Sequence, residues 1–115
     1  MRVFVISSVR NASPVLRSRL EEYSAHLTEN GHEVYLPHRD TRQDVSSLQI
    51  VVQNRKSIEA ADEVHLFYCP DSQGSHFELG LAFAMNKRVK VIENVEYPEG
   101  KSFARMVDEW QASSD

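Results

Sequence analysis

One carboxylate lies where α/β proteins commonly carry ligand-binding or catalytic residues. Glu78 follows an apolar run, residues 64–68, that reads as a strand buried on both faces, and it lies near the start of a helix predicted from Ser75 to about Asn86. Ligands of open α/β sheets bind at the carboxyl ends of strands, where helix N-termini offer free N–H groups. The spacing Ser75-x-x-Glu78 is also that of a capping box. The pattern therefore allows two interpretations of Glu78, a functional carboxylate or a helix cap.

The elements that position this carboxylate alternate between strand and helix. Apolar runs of strand length at residues 3–6, 33–36, 64–68 and 89–92 are separated by segments of helical period. Right-handed crossovers then predict an α/β doubly wound parallel sheet, flavodoxin- or Rossmann-like, with four or five strands and helices on both faces. We expect residues 1–115 to form a single domain with strand order 2-1-3-4.

Helix boundaries and inward faces follow from local signals. Ser13 and Pro14 predict the start of the first helix, and Asn30 with Gly31 its end. Two later helices carry apolar residues that are expected to face inward: Leu48, Val51, Val52 and Ile58 in one, and Phe103, Met106, Val107 and Trp110 in the other.

Composition narrows the class of partner. The net charge of −4 and the scattered Lys and Arg residues argue against a nucleic-acid-binding surface and favour a small ligand. The single cysteine, Cys69, excludes an internal disulfide, and no apolar run is long enough to span a membrane. We expect a cytoplasmic protein that needs no metal or other cofactor.

Three loops should meet at the switch point between the first and third strands. The loop after the first strand contains Ser7, Ser8 and Arg10, which suit an anion such as a phosphate, although the glycines and Lys of a P-loop are absent. The loop after the second strand, residues 37–44, carries polar groups of both signs and also reads as a solvated loop. The third loop leads from Pro70 to Ser75.

Two segments resemble the nucleoside 2-deoxyribosyltransferase superfamily. They are NRKSIEAADEV at residues 54–64 and SQGSHFELGLA at residues 72–82. The resemblance implies that Glu78 is the nucleophile that attacks the anomeric carbon of a sugar. Ser72 and the Ser8-Val9-Arg10 segment resemble the 2′-deoxynucleoside 5′-phosphate N-hydrolase branch and imply a phosphate-binding role.

Further substrate-binding residues are expected in the same loops, together with a proton donor for the leaving base. The expected substrate ligands are Ser7, Ser8, Arg10, Arg39, Ser72, Gly74, Ser75 and His76. The candidate proton donors or orienting groups are His76, Asp71, Asp40 and Arg39. Asp62 is expected to accept backbone hydrogen bonds where a helix turns into a strand.

Two positions depart from the pattern of the superfamily. Asn54 stands where a catalytic Asp is common, and Phe4 stands where a Tyr is common. An amide cannot titrate and a phenyl ring cannot hydrogen-bond. Either another group supplies the missing function, for which the cluster of Arg39, Asp40, Thr41 and Gln43 is the candidate, or turnover is slow.

Three hypotheses of function follow. The first is an N-glycosidase or deoxyribosyltransferase that acts on a nucleotide or nucleoside, with Glu78, Asn54 and Asp40 as catalytic candidates. The second is a catalytically weak or inactive nucleotide-binding module, and the third is an NADase-like domain. The resemblance also implies a homodimer or higher homo-oligomer, in which Leu48, Val51 and Val52 could form an interface, although core packing is the alternative use of that face.

Overall fold

Four short segments pair as a parallel sheet in the computed structural model, which describes residues 1–114. The strands are β1 (Arg2–Ile6), β2 (Glu33–Tyr35), β3 (Glu63–Phe67) and β4 (Arg88–Glu93), in the order β2-β1-β3-β4. The predicted order and parallel topology are confirmed. The chain reverses its direction of travel across the sheet between β1 and β3, so the loops after these two strands diverge and leave a crevice.

Helices cover both faces of the sheet. They are α1 (Pro14–Glu29), α2 (Pro37–Asp40), α3 (Ser47–Ala60), α4 (Gln73–Ala84) and α5 (Phe103–Ser113). The cap of α1 is as predicted, since Ser13 accepts a hydrogen bond from the backbone N–H of Leu16 and Pro14 occupies the first turn. Gly31, with φ +86°, follows the end of this helix in the left-handed region that glycine tolerates.

Alternate residues of each central strand serve two separate cores. On one face, Val3 and Val5 pack with Leu20 and Leu27 of α1. The opposite face contains a larger core, built on these residues of the strands and of α3, α4 and α5: Phe4, Ile6, Val64, Leu66, Ile58, Leu79, Val107 and Trp110. The period-two side-chain alternation of β1 thus buries both of its faces, as expected for a central parallel strand.

Several local expectations are wrong. The helix after β3 begins at Gln73 rather than after Ser75, because Ser72 is its N-cap and accepts a hydrogen bond from the Ser75 N–H. The polar loop after β2 contains the short helix α2. Leu48 is 72% exposed and Phe103 is 63% exposed, so neither faces the core. Both lie in the first turns of their helices, and the Phe103 ring packs against the His76 ring with a centroid distance of 5.2 Å.

Asp62 has the predicted structural role. Its Oδ2 accepts a hydrogen bond of 2.7 Å from the backbone N–H of Arg2, which joins the end of the α3–β3 turn to the neighbouring strand β1. Within residues 1–114, no helix combines the length and the apolar character that a membrane crossing requires.

Candidate active site

A cavity of about 440 Å³ lies at the carboxyl ends of β1 and β3. Its walls come from the loops after these strands, from Pro37 and Gln43, and from the facing sides of α3 and α4. The lining residues are Ser7, Ser8, Val9, Arg10, Asn11, Pro37, Gln43, Ser47, Ile50, Val51, Asn54, Asp71, Ser72, Gln73, Gly74, Ser75 and Glu78. Most of the predicted site residues are therefore brought together at the predicted switch point.

Glu78 lies in the second turn of α4 and points toward α3. The capping-box interpretation is excluded, because Ser75 is not the N-cap and the Glu78 carboxylate is bonded to another helix. Asn54 Nδ2 donates a hydrogen bond of 2.9 Å to Glu78 Oε2. The side chain is thus held across the gap between two helices and not by its own backbone.

Burial dominates the electrostatics of Glu78. The residue is only 8% exposed, and removal of its carboxylate from water raises its pKa to about 8, although the hydrogen bond from Asn54 acts in the opposite direction. Most Glu78 side chains are consequently protonated at neutral pH. A nucleophilic role needs the ionised form, so this carboxyl should become more reactive as the pH rises.

Asn54 is itself held by Thr41, a member of the polar cluster after β2 that the sequence offers as a substitute for the missing function. Thr41 Oγ1 donates a hydrogen bond of 2.6 Å to Asn54 Oδ1, and the Tyr35 hydroxyl lies 2.6 Å from the same Thr41 oxygen. Thr41 is buried although it follows α2 in a polar segment. No pattern in the sequence marks the pairing, because Thr41 and Asn54 come from different elements and meet only when α3 packs beside the loop.

The loop after β1 presents hydrogen-bonding groups and one positive charge. Ser7 is buried and donates to the Ser8 carbonyl at 3.3 Å, while the Arg10 side chain is exposed. Across residues 1–114, Arg10 has no ion pair or hydrogen-bond partner. A guanidinium without a protein counter-ion, at the rim of a cavity lined by serine residues, is available to an anionic ligand.

The start of α4 adds further hydrogen-bonding groups to the cavity wall. Ser72 Oγ accepts the capping hydrogen bond from Ser75, so its own O–H remains available as a donor toward the cavity. Gly74 also lines the cavity, and a β-carbon added there would meet no protein atom within 4 Å. The backbone at Gly74 is thus open to close approach by a ligand. The Ser75 hydroxyl is buried and has no hydrogen-bond partner among the described residues.

Three predicted site residues lie outside the cavity. Asp40 accepts hydrogen bonds from the Leu36 N–H at 2.8 Å and from Arg39, whose guanidinium also donates to the Val34 carbonyl. These contacts tie α2 to β2, so both side chains serve the local structure. His76 points to the other side of α4.

The His76 ring is satisfied on both nitrogens. Its Nδ1 lies 2.7 Å from the Ser72 carbonyl, which only accepts, so Nδ1 donates and Nε2 accepts from the Tyr68 hydroxyl at 2.9 Å. It therefore buttresses the first turn of α4. Among the residues described, the carboxyl groups that line the cavity are those of Glu78 and Asp71.

The profile of the nucleoside 2-deoxyribosyltransferase family matches residues 12–108 of the chain. The chain belongs to this family. No curated protein sequence matches it. The matched range includes Asn54, Thr41 and the whole of α4, and this assignment favours the first hypothesis over an NADase-like domain.

Solved structures of proteins from this family and of similar proteins share the fold. A 2-deoxyribosyltransferase from Bacillus psychrosaccharolyticus superposes with a TM-score of 0.74 at 16% identity, over 100% of this chain and 91% of that one. The CMP N-glycosidase of Clostridium botulinum gives a TM-score of 0.67 at 24% identity, over 95% and 81% of the two chains. A 2-desoxiribosyltransferase from Leishmania mexicana gives 0.66 at 17% identity, over 84% and 67%.

The two departures from the family pattern occupy different environments. Asn54 is in direct contact with Glu78, whereas Phe4 is fully buried and stacks on the Tyr35 ring with a centroid distance of 5.3 Å. Phe4 therefore packs against Tyr35, whose hydroxyl is bonded to Thr41, and takes no part in the hydrogen bonds itself. Within the described residues, no cluster of three or more His, Cys, Asp or Glu side chains forms a metal site.

Proposed function

We propose that this protein cleaves the N-glycosidic bond of a nucleoside 5′-monophosphate, with Glu78 as the nucleophile. The observation that carries the proposal is the position of Glu78, a buried carboxyl whose Oε2 is held by Asn54 at the wall of a cavity of about 440 Å³. A cavity of this size suits a small ligand.

The chemistry assigned to Glu78 balances as a double displacement. The ionised carboxylate forms a bond to the anomeric carbon, the bond between that carbon and the base nitrogen breaks, and the base leaves with the electron pair and takes up a proton. Water then attacks the glycosyl ester, releases the sugar phosphate and regenerates Glu78. If a second base attacks in place of water, the same intermediate gives transfer.

Asp71 is the group best placed to supply the proton. It lines the cavity in the loop that precedes α4, whereas Asp40, Arg39 and His76 are committed to structural contacts outside it. Asn54 provides no proton. Its amide holds the Glu78 carboxylate and leaves the second carboxylate oxygen to face the substrate.

A phosphate is proposed as the group that orients the substrate. Arg10, Ser7 and Ser8 face it from the loop after β1, and Ser72 and Gly74 face it from the start of α4, where free N–H groups and the helix dipole favour an anion. This arrangement supports a nucleotide over a free nucleoside.

A second copy of the chain is proposed to flank the cavity. Leu48 is 72% exposed and stands next to Ser47, which lines the cavity, so an apolar contact at this point would close one side of the site.

One assay tests the central proposal. The purified protein is incubated with nucleosides and nucleoside 5′-monophosphates, with and without a second base, and free base is followed by chromatography. We expect release from monophosphates, a rate that rises with pH through about 8 as Glu78 ionises, and loss of release in Glu78→Gln. Undiminished release in Glu78→Gln would overturn the nucleophile assignment.

The competing candidate is a nucleotide-binding module with weak catalysis. The burial of Glu78 favours this alternative, because a carboxyl with a pKa of about 8 beside a non-titrating Asn54 is mostly protonated at neutral pH. Tight nucleotide binding by calorimetry, without base release at any pH, would select this alternative.

A further inference from the structure

Four hydrogen-bonding side chains form a continuous chain that ends at Glu78. The Tyr35 hydroxyl lies 2.6 Å from Thr41 Oγ1, Thr41 Oγ1 lies 2.6 Å from Asn54 Oδ1, and Asn54 Nδ2 lies 2.9 Å from Glu78 Oε2. The four residues come from β2, the segment after α2, α3 and α4. Thr41, Asn54 and Glu78 are buried, so little of these groups is exposed to solvent.

Each link of this chain has a fixed direction when Glu78 is ionised. A carboxylate only accepts, so Asn54 must present its N–H groups to Glu78 and its carbonyl oxygen to Thr41. The Thr41 hydroxyl must then donate to that oxygen, and its lone pair accepts from the Tyr35 hydroxyl. If the Asn54 amide were reversed, its oxygen would face Glu78, and only a protonated carboxyl could bond to it.

The surrounding structure holds Thr41 in register with Asn54. Gln53, the residue before Asn54, accepts from the backbone N–H of Arg42 at 3.0 Å and donates to the Arg42 carbonyl at 3.3 Å. Gln43 donates to the Thr41 carbonyl at 3.1 Å. The Gln53–Arg42 bonds thus fasten the segment after α2 to α3 beside the Thr41–Asn54 contact, and the Gln43 bond holds the segment's own backbone.

Tyr35 is fixed by a different neighbour. Its ring is stacked on the fully buried Phe4, with an interplanar angle of 11°, and the two residues are paired across β1 and β2. The stack leaves the hydroxyl as the free end of the ring, directed to Thr41. Tyr35 therefore reaches the site through hydrogen bonds and does not line the cavity.

We propose that Tyr35 and Thr41 are positioning residues that set the orientation of the Asn54 amide, so that its N–H group faces Glu78 and stabilises the ionised carboxylate. This inference rests on the proposed function for its catalytic meaning, but the hydrogen-bond chain itself can be tested without turnover. Besides Glu78, the charged groups that line the same cavity are Arg10 and Asp71, and within the described residues neither is hydrogen-bonded to a member of the chain.

The test is a pH titration of the Glu78 side-chain carboxyl by carbon NMR, with the resonance assigned by its absence in Glu78→Gln. Thr41→Val keeps the shape of residue 41 but removes the donor, so the Asn54 amide can reverse, and we expect the Glu78 pKa to rise by about one unit. Thr41→Ser retains the hydroxyl and should restore the wild-type value. Tyr35→Phe, one link further away, should produce a smaller rise.

Thr28→Val is the matched control. Thr28 Oγ1 donates to the Ser24 carbonyl within α1, away from the site, so this variant should leave the titration unchanged. In base release, Thr41→Val should lower kcat roughly tenfold at neutral pH with little change in KM, and the deficit should disappear at a pH where Glu78 is fully ionised.

The outcomes distinguish the positioning role of Tyr35 and Thr41 from the proposed catalytic function. An unchanged Glu78 titration in folded Thr41→Val and Tyr35→Phe overturns the positioning role. If Thr41→Val does not fold, the positioning role is tested by Tyr35→Phe and Thr41→Ser. Tyr35→Phe keeps the stacked ring but loses the hydroxyl, whereas Thr41→Ser keeps the hydroxyl. Absence of base release by the wild type overturns the proposed function, while a shifted titration in the variants still supports the hydrogen-bond chain.

Discussion

Asn54 and Glu78 are joined by a hydrogen bond of 2.9 Å in which the amide donates to the carboxylate. The donor compensates only part of the cost of burying this carboxylate, because the pKa of Glu78 stays near 8. In the resemblance to deoxyribosyltransferases, an Asp is common at position 54. This chain instead has a neutral amide there, which is hydrogen-bonded to its buried carboxyl.

The first prediction is that Glu78 lowers the stability of the protein at alkaline pH. Its folded pKa of about 8 lies above its ordinary value of 4.5, so the folded state binds the proton more tightly between these two pH values. The free energy of unfolding should therefore fall as the pH rises through this window, by up to about 1.4 kcal/mol per pH unit from this group.

Glu78→Gln removes this titration while its amide oxygen can still accept from Asn54. We expect the variant to unfold at a higher denaturant concentration than the wild type at pH above 8, with the difference shrinking toward the acidic end of the window. Equal pH dependence in the two proteins would show that Glu78 is not buried in this way. Glu22→Gln, at an exposed position of α1, is the control.

The fold could be predicted from the sequence because its signals are local and repeated. The four strands, their order and the cap at Ser13 follow from apolar runs, right-handed crossovers and the Ser-Pro pair. The sequence places the start of α4 three residues late, because Ser72 and Ser75 are equally good caps in isolation. In the structure Ser72 is the N-cap, and the Ser75 N–H donates to its hydroxyl oxygen.

The site could be predicted only where its residues follow strand ends. Ser7, Ser8, Arg10, Ser72 and Glu78 meet at the cavity, since parallel topology forces the loops after β1 and β3 together. No comparable topological rule predicts where Thr41 and Tyr35 lie. Their contacts depend on how α3 packs beside the segment after α2. The sequence also favours Arg39 and Asp40, which lie outside the cavity in the structure and pair with each other.

The second prediction concerns the phosphate. Arg10→Ala should weaken binding of a nucleoside 5′-monophosphate by about 1.5–3 kcal/mol and leave binding of the corresponding nucleoside nearly unchanged, because a charge-assisted contact is lost. Calorimetry with both ligands measures the difference. Arg17→Ala, an exposed Arg of α1 outside the cavity, is the matched control. Equal losses for the two ligands would remove the phosphate from the proposal.

The third prediction tests close approach of a ligand at Gly74. A β-carbon there has open space in the protein, so Gly74→Ala should fold and should not lower the melting temperature. The same methyl group would occupy the cavity, and we expect nucleotide binding to weaken about tenfold or more, which is about 1.4 kcal/mol.

Gly80→Ala is the control for Gly74→Ala. Gly80 lies in the same helix with equally open surroundings but does not line the cavity. Its variant should bind nucleotide as the wild type does. If Gly74→Ala also binds normally, the ligand does not approach the backbone at the start of α4.

The fourth prediction concerns the second copy of the chain. Leu48→Glu places a charge on an apolar side chain that is 72% exposed, and it should shift the protein from dimer to monomer in sedimentation velocity experiments. Val15→Glu, at a 64% exposed position of α1, should leave the dimer intact. A monomeric wild type at assay concentration would contradict the proposed assembly.

The fifth prediction is that Asn54→Asp raises base release. The new carboxyl would lie about as far from Glu78 as the present amide does, 2.9 Å, and two carboxyls at that distance share one proton. At neutral pH the pair would therefore contain one ionised and one protonated group, where the wild type has a single carboxyl that is mostly protonated. The ionised group can attack the sugar and the protonated group can assist departure of the base.

Two measurements test whether Asn54→Asp acts through a shared proton. The dependence of kcat/KM on pH should become bell-shaped, with two apparent pKa values that belong to the pair, and nucleotide affinity should stay within a few fold of the wild type. Thr41 can still donate to the new carboxylate oxygen, so the hydrogen-bond chain need not break. If the wild type releases base readily and Asn54→Asp is slower with unchanged affinity, the amide is required to orient Glu78, and the proton comes from another group such as Asp71.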